Sequence, residues 1–210
     1  MLRIDETSGT LVAPQAGGLV TENSPERDEL LALVGASWPA FAQELGLPSL
    51  CLAAREVAPG ADLLAFDEQA GRAVVLHVTG ETVERQIALA LGAAAEVASW
   101  DAAKLAAVSD SLEAVVPGDS PALVIVAGGF DPRALATAEW LAKRHGVEIS
   151  CFGVSILRFG NERLLNVHRE PRDGAADPAA QVQWMLSGAQ APADTPAAAP
   201  QAVASTPPPR

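Results

Sequence analysis

Residues 62–79 read Asp-Leu-Leu-Ala-Phe-Asp-Glu-Gln-Ala-Gly-Arg-Ala-Val-Val-Leu-His-Val-Thr. An apolar run at 62–66 and a β-branched run at 72–78 flank a turn at 68–71, and such a pair of runs reads as two strands of a hairpin. Residues 50–56 alternate loosely just before it and add a strand, so the stretch is a β-meander. Side chains alternate along a strand, which places His77 and Thr79 on one face.

Downstream, Val83, Ile87, Ala90, Leu91, Ala94 and Val97 recur at helical spacing and predict a long alanine-rich helix ending near Trp100. Asp101 caps a further helix through about residue 114. Pro121 and the run at 122–127 announce a strand buried on both faces, closed by Gly128 and Gly129. Asp131-Pro132 is a cap followed by a proline in the first turn, and the helix it starts stops at His145-Gly146. Strands at 147–157 and 163–167 follow. Upstream, Ser24-Pro25-Glu26 starts a helix to about Val34, and a second helix spans about 37–45, with Pro39 near its start. Leu2 to Ile4 and the Thr-Leu-Val piece at 10–12 suit a hairpin. A meander, a helix and then strand–helix–strand make an α/β fold with a mixed sheet flanked by helices.

Lys and Arg total 14 against 26 Asp and Glu, a net charge of −12. Such a surface disfavours DNA, whose binding rests on cationic contacts to phosphate. The cluster Arg158, Arg163, Arg169 and Arg172 is largely cancelled by Glu162, Glu170 and Asp173, and reads as a charged edge strand. Cys51 and Cys151 lack metal-ligand spacing and read as buried thiols of a reducing compartment. With no basic-then-apolar leader at the start and no apolar run near the ~20 residues a bilayer needs, the expectation is a soluble, cytoplasmic protein. Trp38, Trp100 and Trp140 sit where helices pack. The expected division is an N-terminal hairpin at 1–22, a main domain at 23–172, and a disordered Ala/Pro-rich tail at 173–210. One short helix at about 181–186, with Trp184 and Met185, is the part of that tail suited to docking.

Several segments together resemble a bacterial family related to the C-terminal nuclease domain of the archaeal and actinobacterial mismatch endonuclease, a branch of the PD-(D/E)xK superfamily. They are Met-Leu-Arg-Ile-Asp at 1–5, Glu26-Arg27, residues 62–67, His77-Val-Thr79, the long helix after it, Phe130 to Leu135, Trp140-Leu141 and Gly146-Val-Glu-Ile. The likeness covers about residues 1–170 and implies a restriction-endonuclease-like fold. It also implies a site in which a carboxylate ends one strand while an acid and a lysine alternate on the next. Those groups hold Mg²⁺ and orient water.

Carried onto this chain, the resemblance keeps Asp62 as the first carboxylate, puts His77 where the acid belongs and Thr79 where the lysine belongs. Leu89 and Ala93 stand where relatives carry a glutamine and a tyrosine, with Gln86 one turn earlier, and Ala32 stands for a glutamate of the first helix. Asp62 also reads simply as a strand-edge residue capping a turn, and His77 as a hydrogen-bonded strand residue. As metal ligands, Asp62 and His77, with Glu56 or Glu81, suit Mn²⁺ or Zn²⁺ better than Mg²⁺. The expectation is therefore a degenerate nuclease-fold protein acting as an interaction or regulatory module on an unidentified protein partner, without a cofactor. A rearranged endonuclease using Mg²⁺ or Mn²⁺ and a non-cleaving, structure-specific DNA-binding protein are its alternatives. Homodimerisation through the N-terminal hairpin or a sheet edge is left open.

Overall fold

The computed structural model describes residues 2–5, 10–12, 19–21, 25–83, 86–159 and 162–170. The tail expected from residue 173, with its helix at 181–186, lies outside the described residues, as does Arg172.

The chain is an α/β domain. The meander forms as expected: β4 (Leu50–Ala58), β5 (Ala61–Asp67) and β6 (Arg72–Val83) pair antiparallel in succession. β6 then runs parallel to β7 (Ala122–Phe130), and β7 parallel to β8 (Ile149–Phe159). β9 (Glu162–Glu170) returns antiparallel to β8 and completes a six-stranded mixed sheet from β4 to β9. Crossing from β6 to β7 takes α3 (Gln86–Ala98) and α4 (Ala102–Val108), and from β7 to β8 takes α5 (Pro132–His145). Parallel neighbours need such crossovers, because no tight turn can reverse the chain twice.

The N-terminal strands continue this sheet. β1 (Leu2–Asp5) and β2 (Thr10–Val12) form the expected hairpin, and β1 pairs with β9. β3 (Leu19–Thr21), which the sequence reading missed, pairs with the far end of β8. β9 is thus flanked by β1 and β8 and is an interior strand. β1 covers β9 at residues 163–165, so Arg163 does not guard an edge and instead reaches Glu29 at 2.9 Å, whereas Arg169 lies beyond the stretch that β1 pairs.

Strand alternation sorts the core into two layers. Val74, Leu76 and Val78 of β6 pack with Leu30, Leu33 and Phe41, under α1 (Arg27–Ala36) and α2 (Trp38–Glu44). Val75 and Ile125 pack on the other face with Ile87, Ala90 and Ala134, under α3 and α5. Burying each of these large side chains contributes about 1.5–3 kcal/mol.

Local chemistry sets the ends. α5 begins at the Asp131 cap, whose carboxylate accepts from the Arg133 amide at 2.7 Å, and stops at Gly146 in the left-handed conformation (φ 66°). α1 starts later than expected, with Glu26 at its cap position and no side-chain cap. The helix expected to reach residue 114 ends at Val108, because the Ser109 hydroxyl accepts from the Ser111 amide and opens a 3-10 turn at Asp110–Leu112. Gly128 and Gly129 lie within β7, extending it past the expected turn. Trp38 and Trp100 are buried, but Trp140 is 53 % exposed. Cys151 is buried and its thiol is pushed up to about 11, chiefly by desolvation, whereas Cys51 on the edge strand β4 is only half-buried.

On the α5 face of β8, Gly153 lies opposite His168 of β9, and a Cβ on Gly153 would run into the imidazole. The ring is held there by Glu170, 2.9 Å away. Gly153→Ala should therefore destabilise the domain by about 1–3 kcal/mol. Urea denaturation measures it, and an unchanged midpoint would show that the ring can swing aside.

Candidate functional site

Pairing between β5 and β6 stops at Leu63↔Leu76. The next residues in register, Asp62 and His77, part company, and the two strands fork. Both are 4 % exposed. Within this gap the Asp62 carboxylate replaces the ladder: Oδ2 accepts from the Val78 amide at 2.6 Å. Oδ1 accepts from Arg27 at 2.5 Å, a guanidinium reaching in from the start of α1. His77 Nδ1 stands 2.9 Å from Oδ2 as an ion-pair contact, off the line of a well-formed hydrogen bond. Its Nε2 lies 3.0 Å from Gln86 Oε1 on α3.

Both ring nitrogens of His77 thus face polar neighbours. Nε2 faces the Gln86 amide, which can turn to donate or accept, and Nδ1 faces the Asp62 carboxylate. Burial alone raises the Asp62 carboxyl, but His77, the Val78 amide and Arg27 together outweigh it and hold the group below its usual value. Asp62 is thus a carboxylate at neutral pH, with partners on both oxygens.

Thr79 follows on the same face as His77 and is buried at 5 % exposure. The structure thus brings His77 to Asp62, and Thr79 shares the face of His77 as the alternation along β6 implied. Ala93 lies on the buried face of α3 and Leu89, 44 % exposed, lies against Gly60, while Gln86 reaches the site. Ala32 lines a cavity of about 210 Å³ with Asp62, Arg55 and Glu56. The side chain of Glu81 lies outside the described residues.

Sequence reasoning missed the role of Arg27, which was noted only in the Glu26-Arg27 helix start. It also missed the backbone of Glu56, whose φ of 50° is a left-handed conformation at a bulge of β4. That conformation costs a non-glycine residue about 1–2 kcal/mol. Glu56→Gly should stabilise the fold by about 0.5–1 kcal/mol after glycine's own entropy is subtracted. A thermal melt tests this, and a lowered midpoint would mean that the Glu56 side chain contributes more than its backbone costs.

The donor set does not fit a hard divalent ion. Mg²⁺ favours several free carboxylate and water oxygens, whereas the single acid at the fork already holds a cation, the Arg27 guanidinium. Among the described residues, no cluster of three or more His, Cys, Asp or Glu side chains is arranged to hold a metal ion. Also among the described residues, no helix is long and apolar enough to cross a membrane. No protein-family model, curated protein or solved structure gives a match to this chain.

Proposed function

We propose that this chain is a restriction-endonuclease-like domain without catalysis, working as an interaction or regulatory module. The observation that carries the reading is the state of Asp62. The carboxylate at the position of the metal-holding acid is bound on one oxygen by Arg27 and on the other by the Val78 amide and His77. With histidine and threonine two residues apart on β6, the fork lacks both the second acid and the lysine that hydrolysis by this chemistry requires. A net charge of −12 further weakens any attraction to a phosphate backbone.

The competing reading is a metal-dependent DNA endonuclease with a rearranged site. It draws on the shared cavity of Asp62 and Glu56, and would have to displace Arg27 from Oδ1. Incubation of the purified chain with single-stranded, duplex, mismatched and flapped DNA in Mg²⁺ and in Mn²⁺, beside Asp62→Ala, separates the two. No cleavage is expected from either protein. Cleavage by the natural chain that disappears in Asp62→Ala would overturn the non-catalytic reading.

A further inference from the structure

α3 and α5 lie on the same face of the sheet, α3 over β6 and β7 and α5 over β8. Between them runs a groove of about 670 Å³, walled by Ala88 and Leu91 of α3 and by Ala134, Thr137 and Leu141 of α5. On a helix of 3.6 residues per turn, Arg133, Thr137, Trp140 and Arg144 form one stripe. Arg133 and Thr137 line the groove, and helical geometry places Trp140 and Arg144 further along the same side of α5. The groove thus offers an alanine-rich wall and the Arg133 guanidinium beside Asp131, whose carboxylate caps α5, with a half-exposed indole and the Arg144 guanidinium further along α5, on a chain that is acidic overall. Its complement is an apolar segment with acidic flanks.

The chain itself carries one. The described residues end at Glu170, and 210 − 170 = 40 residues follow. Val182, Trp184, Met185 and Leu186 form their densest apolar stretch; Asp173, Asp177 and Asp194 flank it, with no lysine or arginine between Arg172 and Arg210. Reach is ample. Glu170 pairs with Cys151, which pairs with Ile125 of β7, so the last described residue stands two strand spacings, about 10 Å, from the strand beneath the groove. The 182 − 170 = 12 residues from Glu170 to Val182 span up to about 40 Å when extended. A tether of that length makes the encounter intramolecular, at an effective concentration of order millimolar.

We propose that residues 182–186 seat in the groove between α3 and α5 of their own chain, with the flanking aspartates drawn to Arg133 and Arg144. Thr137 and Trp140 would then be covered by the tail, and any partner using this face would have to displace it. This holds whether or not the fork at Asp62 is catalytic.

The test uses the full chain with the photo-reactive residue p-benzoylphenylalanine in place of Thr137. Irradiation should give a cross-link, at monomer mass, to the peptide containing 182–186. Trp184→Asp/Met185→Asp should abolish it, and Arg133→Glu/Arg144→Glu should weaken it. A cross-link elsewhere, one that survives Trp184→Asp/Met185→Asp, or one found at dimer mass and growing with concentration overturns the proposal, the last by placing a second copy in the groove. Hydrogen exchange on the unlabelled chain gives an independent reading. Amides of 88–91 and 134–141 should exchange faster in Trp184→Asp/Met185→Asp, and equal rates would also overturn it.

Discussion

Asp62→Ala should destabilise the domain by about 3 kcal/mol at neutral pH. The change strips a buried backbone amide, Val78 N–H, of its acceptor, a loss of about 1–3 kcal/mol. It also leaves the 4 %-exposed His77 without its carboxylate, while Arg27, 43 % exposed on its side chain, recovers much of its hydration. Asp62→Asn, which keeps an acceptor for Val78 but not the charge, should lose roughly half as much. The sign separates two kinds of carboxylate. Acids gathered to hold a catalytic metal repel one another, so replacing one commonly raises stability at the expense of activity. An acid clasped by its own protein lowers stability when it is removed. Urea denaturation of the three proteins decides between them, and an Asp62→Ala chain as stable as the natural one would sink the clasp.

The same group predicts a pH dependence. Its folded carboxyl lies below its usual value, so its contribution is fully present above the unfolded value of about 3.9 and fades as pH falls through the folded one. The gap in stability between the natural chain and Asp62→Asn should therefore be constant near neutrality and shrink at strongly acidic pH.

Local signals in the sequence were enough for the elements whose determinants are themselves local. The Asp131-Pro132 start and Gly146 stop delimit α5, and the turn at 68–71 delimits the hairpin of β5 and β6, because caps and turns act within four residues. Non-local pairing was not legible. Nothing within 162–170 shows that β1 will lie beside it, which is why that charged run reads as an edge throughout although β1 covers it at residues 163–165. The candidate site divides in the same way. Two-residue alternation on β6 put His77 and Thr79 on one face, but the partner that defines the state of Asp62 is Arg27, 35 positions away. No periodicity marks a long-range ion pair, and the left-handed Glu56 carries no sequence mark either. Trp140 shows a third limit: helical spacing gives a side chain's direction, but its cover depends on what else packs there.

Building the acid-and-lysine pattern of a nuclease site at the fork should produce a metal-dependent protein. His77→Glu with Thr79→Lys puts a second carboxylate where His77 Nδ1 now stands 2.9 Å from Asp62 Oδ2. Two like charges about 4 Å apart repel by about 4 kcal/mol at an effective dielectric constant near 20. Without metal the variant should melt well below the natural chain, or take up a proton shared between the two acids. A divalent cation between the carboxylates reverses the sign. Mn²⁺ at a hundred times its dissociation constant returns about 2.7 kcal/mol, so the variant's Tm should climb with Mn²⁺ while that of the natural chain stays flat. Adding Arg27→Ala should strengthen the response, because Arg27 no longer competes for Oδ1. Scanning fluorimetry across a Mn²⁺ series reads all three proteins together. A natural chain that responds as strongly as the double variant already binds metal at Asp62, and the non-catalytic reading fails. A triple variant that ignores Mn²⁺ means the fork is not shaped for an ion, so it differs from a nuclease site in backbone as well as side chains.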